Sequence, residues 1–246
     1  MNILNRKQLP NFGILKDFEV NNLEIIQDLK NNQLLDHDVF NDINVSKKGL
    51  YSNFTITNSY CKKSFFTEDE SLNGEQYKQL YFTGPNDSIA GLESNEKFTG
   101  IKYRTTRLDP DHKSYDPVAD ELNYGKRRDI CSDYINKLLD RFSRHDKVTR
   151  VRLAWLKAGF SIKPHIDYDP SYIVRYHIPI ITNNKCKLNC IVNNKTHNIH
   201  FKADGNVYFL NAGLKHWATN ESQYDRIHLI VDVHGQNLLQ QLVEIA

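Results

Sequence analysis

The residues best equipped for chemistry lie between Pro164 and Arg226. In Pro164-His165-Ile166-Asp167, side chains two apart share a face of an extended chain, so His165 and Asp167 point to one place and Ile166 points away. Imidazole nitrogen beside carboxylate suits iron(II), manganese or zinc. A lone His-x-Asp is a common accident, with a surface pair at a turn as its bland meaning. A third candidate raises its standing: His216, in Gly213-Leu214-Lys215-His216-Trp217, which otherwise reads as a half-buried barrel histidine. Two imidazoles and one carboxylate on one face of an ion leave three positions open, enough for a bidentate co-substrate and dioxygen.

Two cations stand close to this set in sequence. Along Arg226-Ile227-His228-Leu229-Ile230-Val231-Asp232, residues Ile227, Leu229 and Val231 form an apolar face and leave Arg226 on the other. A buried guanidinium needs a carboxylate; 2-oxoglutarate would bring one, whereas Asp225 or Asp232 would serve if Arg226 only makes a surface pair. In Val174-Arg175-Tyr176-His177-Ile178-Pro179 the same two-residue period puts Arg175 and His177 together as a second anion-binding pair. His228 shares the face of Arg226 and reads equally well as a core histidine, while His197 and His200 read as solvent-facing or structural. The run Lys102-Tyr103-Arg104-Thr105-Thr106-Arg107 could grip an anionic substrate or be an ordinary charged strand.

Taken in order, Pro164-His165-Ile166-Asp167, Arg175-Tyr176-His177-Ile178-Pro179, His216-x-x-x-Asn220 and Arg226-x-His228-Leu229-x-x-Asp232 resemble the aspartyl/asparaginyl β-hydroxylase family over about 148–234. The resemblance implies a double-stranded β-helix, iron(II) as cofactor, and 2-oxoglutarate and dioxygen as co-substrates. It would make His165, Asp167 and His216 the iron ligands, Arg226 the partner of the distal carboxylate of 2-oxoglutarate, and Arg175 with His177 the partners of its metal-proximal end. The implied reaction is hydroxylation of an unactivated C–H bond, with release of succinate and CO2. The substrate would be an amino acid, or an aspartyl, asparaginyl or prolyl residue of a peptide or protein. Some members lack the metal carboxylate, and Asp167 favours the full triad. A helper hydroxyl for the distal carboxylate is not evident on the strand around 152–156, where Ala154 and Trp155 stand. The rival readings are a cupin-like metal enzyme that works without 2-oxoglutarate and a non-catalytic jelly-roll binding protein.

The elements that must position these residues are short strands. From Thr149 onward, β-branched and aromatic blocks at 149–157, 172–181, 187–193, 197–202, 205–211 and 225–233 are punctuated by Pro, Asn-Asn and Gly, the signature of an antiparallel barrel. The expected fold class is therefore mainly β with flanking helices, a jelly-roll, cupin-like barrel. Asn21-x-x-Glu24 resembles a capping box opening a helix over about 22–31 with Leu23, Ile26 and Leu29 inward. A second helix begins at Asp129, with Ile130, Tyr134, Ile135, Leu138, Leu139 and Phe142 at helical spacing. Leu9 to Gly13 reads as an irregular lead-in, and 84–116 as a lid or substrate wall. The expected organisation is one domain of 1–246: a helical and loop-rich region over 1–147, a catalytic core over 148–234 and a C-terminal helix over 235–246.

Composition narrows the class further. The 246 residues are 39% hydrophobic and 25% charged, which excludes a disordered or fibrous chain. A net charge of +2 is too small for a broad nucleic-acid-binding field. No apolar run approaches the roughly twenty residues of a membrane span, and the first residues do not read as a secretory signal, so an intracellular, cytoplasmic protein is expected. Cys61, Cys131, Cys186 and Cys190 are too few and scattered for a disulfide framework and read as thiols, the last two on one strand face.

Overall fold

Alternation along the strands between Lys147 and His234 sorts side chains onto two faces, and both faces are covered. The structure is a computed structural model that describes residues 3–32, 66–68, 77–84, 86, 111 and 120–245. Cys61, the Lys102 to Arg107 run and all of the expected lid over 84–116 except Gly84, Asn86 and Asp111 lie outside them. In chain order the elements are β1 (Phe12–Glu19), α1 (Asn22–Asn31), β2 (Phe66–Glu68), β3 (Tyr77–Tyr81), β4 (Thr83–Gly84), β5 (Lys126–Arg127), α2 (Asp133–Ser143), β6 (Lys147–Leu156), β7 (Val174–Ile181), β8 (Cys186–Val192), β9 (Lys195–Ile199), β10 (Asn206–Leu210), β11 (Lys215–Asn220), β12 (Arg226–His234) and β13 (Leu242–Glu244). Among the described residues no helix is long and apolar enough to cross a membrane.

The strands form an eight-stranded sheet ordered β13-β1-β10-β7-β12-β6-β3-β2 and a three-stranded sheet ordered β11-β8-β9. Two isolated bridges, Ser161 with Thr219 and His165 with His216, lengthen the smaller sheet beyond β11. From β6 to β12 the chain therefore crosses repeatedly between the two sheets, which is the winding of a jelly roll, with every strand pair antiparallel. Register decides which side chains face inward. On the large sheet Arg226 lies opposite Leu156, His228 opposite Ala154, Ile230 opposite both Arg152 and His177, and Asp232 opposite Arg175. These residues share the face turned to the small sheet, where Ala154, Leu156, Tyr208, Leu210 and Ile230 pack against Leu188, Cys190 and Ala218. The other face, with Val151, Leu153, Tyr176, Ile178, Leu229 and Val231, is the apolar seat of α1 and α2.

Both helices begin at side-chain caps. Asn21 accepts from the backbone N–H groups of Leu23 and Glu24 ahead of α1, and Ser132 accepts from that of Ile135 ahead of α2. The second helix thus starts at Asp133, four residues later than its expected start at Asp129. Its buried side is Ile135, Leu138, Leu139 and Phe142. In α1 the buried side is Ile25, Ile26 and Leu29, whereas Leu23, expected inward, is 52% exposed because it lies roughly 200° around the helix from Ile25.

The C-terminal helix expected over 235–246 is absent. Leu238–Gln241 make one 3-10 turn, whose backbone N–H groups at Asn237 and Leu238 are taken by the Asp146 carboxylate. Gly235, at φ 128°, allows the chain to turn where any Cβ would strike that carboxylate. Beyond the turn β13 pairs with β1, so Leu242 to Glu244 cover an edge that would otherwise expose a row of backbone groups. Pairing also explains why Val243 is 51% exposed: a strand alternates its faces, and only a helix could have turned Leu242 and Val243 inward together. The lead-in expected to be irregular over Leu9 to Gly13 ends inside β1, which begins at Phe12. The apolar alternation of β1 is broken at Asp17, which takes a φ of 60° where the β1–β10 register shifts.

Candidate metal and anion site

His165 and His216 face each other across a two-residue antiparallel bridge. The His165 N–H donates to the His216 carbonyl at 2.9 Å and the His216 N–H to that of His165 at 2.8 Å. Such a pair exchanges both backbone bonds and projects its side chains to the same side, here with ring centroids 4.3 Å apart. The two-residue period then adds Asp167, whose Oδ1 is 3.8 Å from His165 Nε2 and whose Oδ2 is 3.8 Å from His216 Nε2. One ligand atom from each of His165, Asp167 and His216 falls within 4.8 Å of the others. The structure thus brings together the three residues expected as metal ligands.

Ring orientation follows from the backbone. His165 Nδ1 is 2.8 Å from the Lys163 carbonyl, and His216 Nδ1 is 2.9 Å from that of Leu214. A carbonyl only accepts, so each Nδ1 carries the proton and each Nε2 presents its lone pair to the common point, the arrangement that fixes histidines as metal ligands. His216 is 4% exposed. Burial lowers its pKa to about 4 despite the Asp167 charge, so its imidazole is neutral and able to ligate at neutral pH. Asp167 stays ionised: burial would raise its carboxyl, but Arg175, then His216 and His165, outweigh it and hold it well below the ordinary range. The donor set fits a borderline divalent ion such as iron(II).

Arg175 touches this centre from behind. Its NH1 donates to Asp167 Oδ2, while its Nε and NH2 donate to the two oxygens of Asp232 at 2.8 and 2.9 Å. Arg152 NH1 donates to Asp232 from the other side at 2.7 Å. Arg175, expected beside the oxo-acid end of a co-substrate, lies next to the triad with its guanidinium on two carboxylates of the chain.

Arg226 has no such partner. It is 2% exposed, and among the described residues neither acid weighed for it is available. Asp225 accepts from the Trp155 indole and the Ala158 N–H at 2.9 and 2.8 Å, and Asp232 is taken by Arg152 and Arg175. The Arg226 guanidinium lies against His228, with Nε 3.1 Å from Nε2 and NH2 2.8 Å from Nδ1. A neutral imidazole accepts one hydrogen bond whereas a guanidinium offers five donors, and burial, followed by the Arg226 charge, keeps His228 neutral. His177 stands next to this pair, 3.4 Å from His228 Nδ1 to Nδ1, and its own Nε2 is buried without a partner among the described residues. Its pKa is pushed well down by burial first and then by Arg226 and Arg175. Register places these groups in order along β12: Asp232 beside Arg175 at the triad end, Ile230 beside His177, then His228 and Arg226. Across β6, Tyr77 of β3 lies opposite Leu156, which lies opposite Arg226, so the N-terminal region contributes a buried phenol to the same face.

Two residues of the site had weaker signals. His228 was left open between core and site, and Asp232, though part of the motif that carries the resemblance, was given no role beyond a rival partner for Arg226; both follow from the two-residue period of β12. Asn220 is structural: its amide donates to the carbonyls of Leu156 and Tyr224 and its oxygen accepts from Ser222 and Cys186, pinning the β11–β12 turn. Cys186 and Cys190 are buried free thiols, as expected, and burial lifts Cys190 to about 11. His197 is exposed and His200 half-buried against Thr182.

With that geometry in hand, residues 126–235 match the aspartyl/asparaginyl beta-hydroxylase family. Among solved structures, the chain is similar to an oxidoreductase of the 2OG-Fe(II) oxygenase family from Burkholderia pseudomallei, at 12% identity over 66% of this chain and 72% of that one (TM-score 0.36). It is also similar to a cupin domain from Bordetella pertussis Tohama I, at 13% identity over 37% and 85% (TM-score 0.29). A non-heme monooxygenase in complex with nickel aligns at 11% identity over 47% of this chain and 58% of that one (TM-score 0.34).

Proposed function

Because residues 126–235 match a family of hydroxylases, the aspartyl/asparaginyl beta-hydroxylases, we propose that this protein is an iron(II)- and 2-oxoglutarate-dependent dioxygenase. It would hydroxylate an unactivated C–H bond of an amino acid, or of an aspartyl, asparaginyl or prolyl residue in a peptide or protein. One observation carries the reading: a buried guanidinium, Arg226, with no carboxylate beside it among the described residues, lines the same barrel as a two-histidine, one-carboxylate triad. Uncompensated burial of a charge is costly, and a dicarboxylic co-substrate supplies the missing anion.

Iron(II) with 2-oxoglutarate and dioxygen supplies, when bound, an oxidant able to hydroxylate such a bond, leaving succinate and CO2. The chain's own tasks are binding, orientation and exclusion of water. His165, Asp167 and His216 would hold the ion, a donor set with room left for exogenous ligands. Arg226 takes the distal carboxylate of the co-substrate, and His177, whose Nε2 is buried with no hydrogen-bond partner among the described residues, is a further donor for the same ligand. Ala154, Leu188, Phe201, Leu210 and Ala218 form an apolar cluster between the two sheets, surroundings that favour exclusion of water from such a reaction.

Substrate-stimulated succinate release, screened with free amino acids and short Asp-, Asn- and Pro-containing peptides under iron(II) and 2-oxoglutarate, tests the reading. Metal-dependent turnover that ignores 2-oxoglutarate would sink it. Arg226→Ala is expected to raise the 2-oxoglutarate dissociation constant by roughly 10–100-fold, the loss of a charge-assisted contact. Metal affinity should stay within about twofold of the wild type, since Arg226 touches no ligand of the ion; calorimetric titration of each component separates the two effects.

A further inference from the structure

We propose that Arg175, held by Asp232, is a positioning residue for the metal carboxylate. This rests on the metal centre proposed above and goes beyond it, since the sequence resemblance would place Arg175 on the co-substrate. The three ligands differ in how they are anchored. His165 and His216 sit on paired backbone and each ring is fixed by a carbonyl of its own segment. Asp167 has no strand around it; among the described residues its backbone is tied only by the N–H donated to the Ala212 carbonyl at 3.0 Å, and its carboxylate makes its hydrogen bond to Arg175. Arg175 is in turn immobile: it is 8% exposed and forked onto fully buried Asp232. Asp232 is directly opposite it in the β7–β12 register and is gripped on its far side by Arg152. The contact to Asp167 Oδ2 leaves Oδ1, on the His165 side, for the ion. A carboxylate with one oxygen tied back offers a single, directed ligand atom, and loss of such supporting contacts typically costs 10–100-fold in metal affinity.

Manganese(II) titration of the full chain, read by the electron paramagnetic resonance of the free ion and done without 2-oxoglutarate, tests this. A guanidinium that served only the co-substrate would leave such a titration unchanged. Arg175→Gln is expected to weaken manganese(II) by about 10–100-fold. Arg175→Lys, which keeps the charge without the fork, should fall between it and the wild type. In the Asp167→Ala background, Arg175→Gln should change the affinity by less than about twofold, because the group it acts through is gone. Thermal melts establish that each variant is folded; if Arg175→Gln is not, the same cycle is run with Arg175→Lys. An Arg175 substitution that leaves manganese(II) binding unaltered, or losses that multiply in the double variant, would overturn the proposal. Equal binding by the wild type and His165→Ala would instead remove the metal centre itself.

Discussion

His216→Ala is expected to strip the metal from this protein and leave a folded barrel behind. The variant removes one of the three proposed protein ligands, and no other His, Cys, Asp or Glu among the described residues joins the cluster to replace it. Affinity should fall by at least about two orders of magnitude, more than the loss of any supporting contact, which costs 10–100-fold. The backbone bridge to His165 survives, because it is made by N–H and carbonyl groups, and the truncation leaves a cavity whose cost is about 1–3 kcal/mol. Metal content after dialysis, set beside a thermal melt of the metal-free proteins, separates loss of ligand from loss of fold. Full metal content and undiminished succinate release in both His216→Ala and His165→Ala would refute the assignment.

Asp232→Ala is expected to cause the largest loss of stability. The fully buried carboxylate accepts a fork from Arg175 and a further bond from Arg152, so its removal leaves two guanidinium groups inside the protein with their main partner gone. Breaking a buried ion pair from one side typically costs about 3–5 kcal/mol. Glu121 cannot fully compensate, because it bonds instead to Arg150 and Thr149. Urea unfolding at pH 7 reads the loss, and a decrease under about 1 kcal/mol would show that the pair is not structural. The variant also tests the pH dependence. Burial would raise the Asp232 carboxyl, but Arg152 and Arg175 outweigh it and hold it below its unfolded value of about 3.9. Its contribution is therefore fully present above that pH and lost as pH falls through the folded value. Asp232→Ala should accordingly lose stability less steeply than the wild type between pH 5 and 3.

Much of this site was legible from local pattern. The two-residue period of an extended chain is a property of backbone geometry, so it sufficed to put His165 with Asp167, Arg175 with His177, and Arg226 opposite the face of Ile227, Leu229 and Val231. The helical spacing of α2 needed no partner to be seen. The strand that carries His216 was harder, because β11 turns His216, Ala218 and Asn220 inward and half-exposes Trp217. Each of its faces mixes polar and apolar residues, Lys215, Trp217 and Thr219 outward and His216, Ala218 and Asn220 inward, so the alternation by which a strand is recognised is missing.

What the amino-acid order determined by itself, then, was which residue types stand on which face of each strand. Which carboxylate meets which guanidinium was decided only in three dimensions. Asp232 reaches Arg175 across 57 residues and Arg152 across 80, and Asp225 is taken by Trp155 across 70. Those pairings depend on the register of strands distant in sequence, which no local period encodes. By settling them, the fold leaves Arg226 as the buried cation without a carboxylate among the described residues and ties Arg175 to the Asp167 carboxylate.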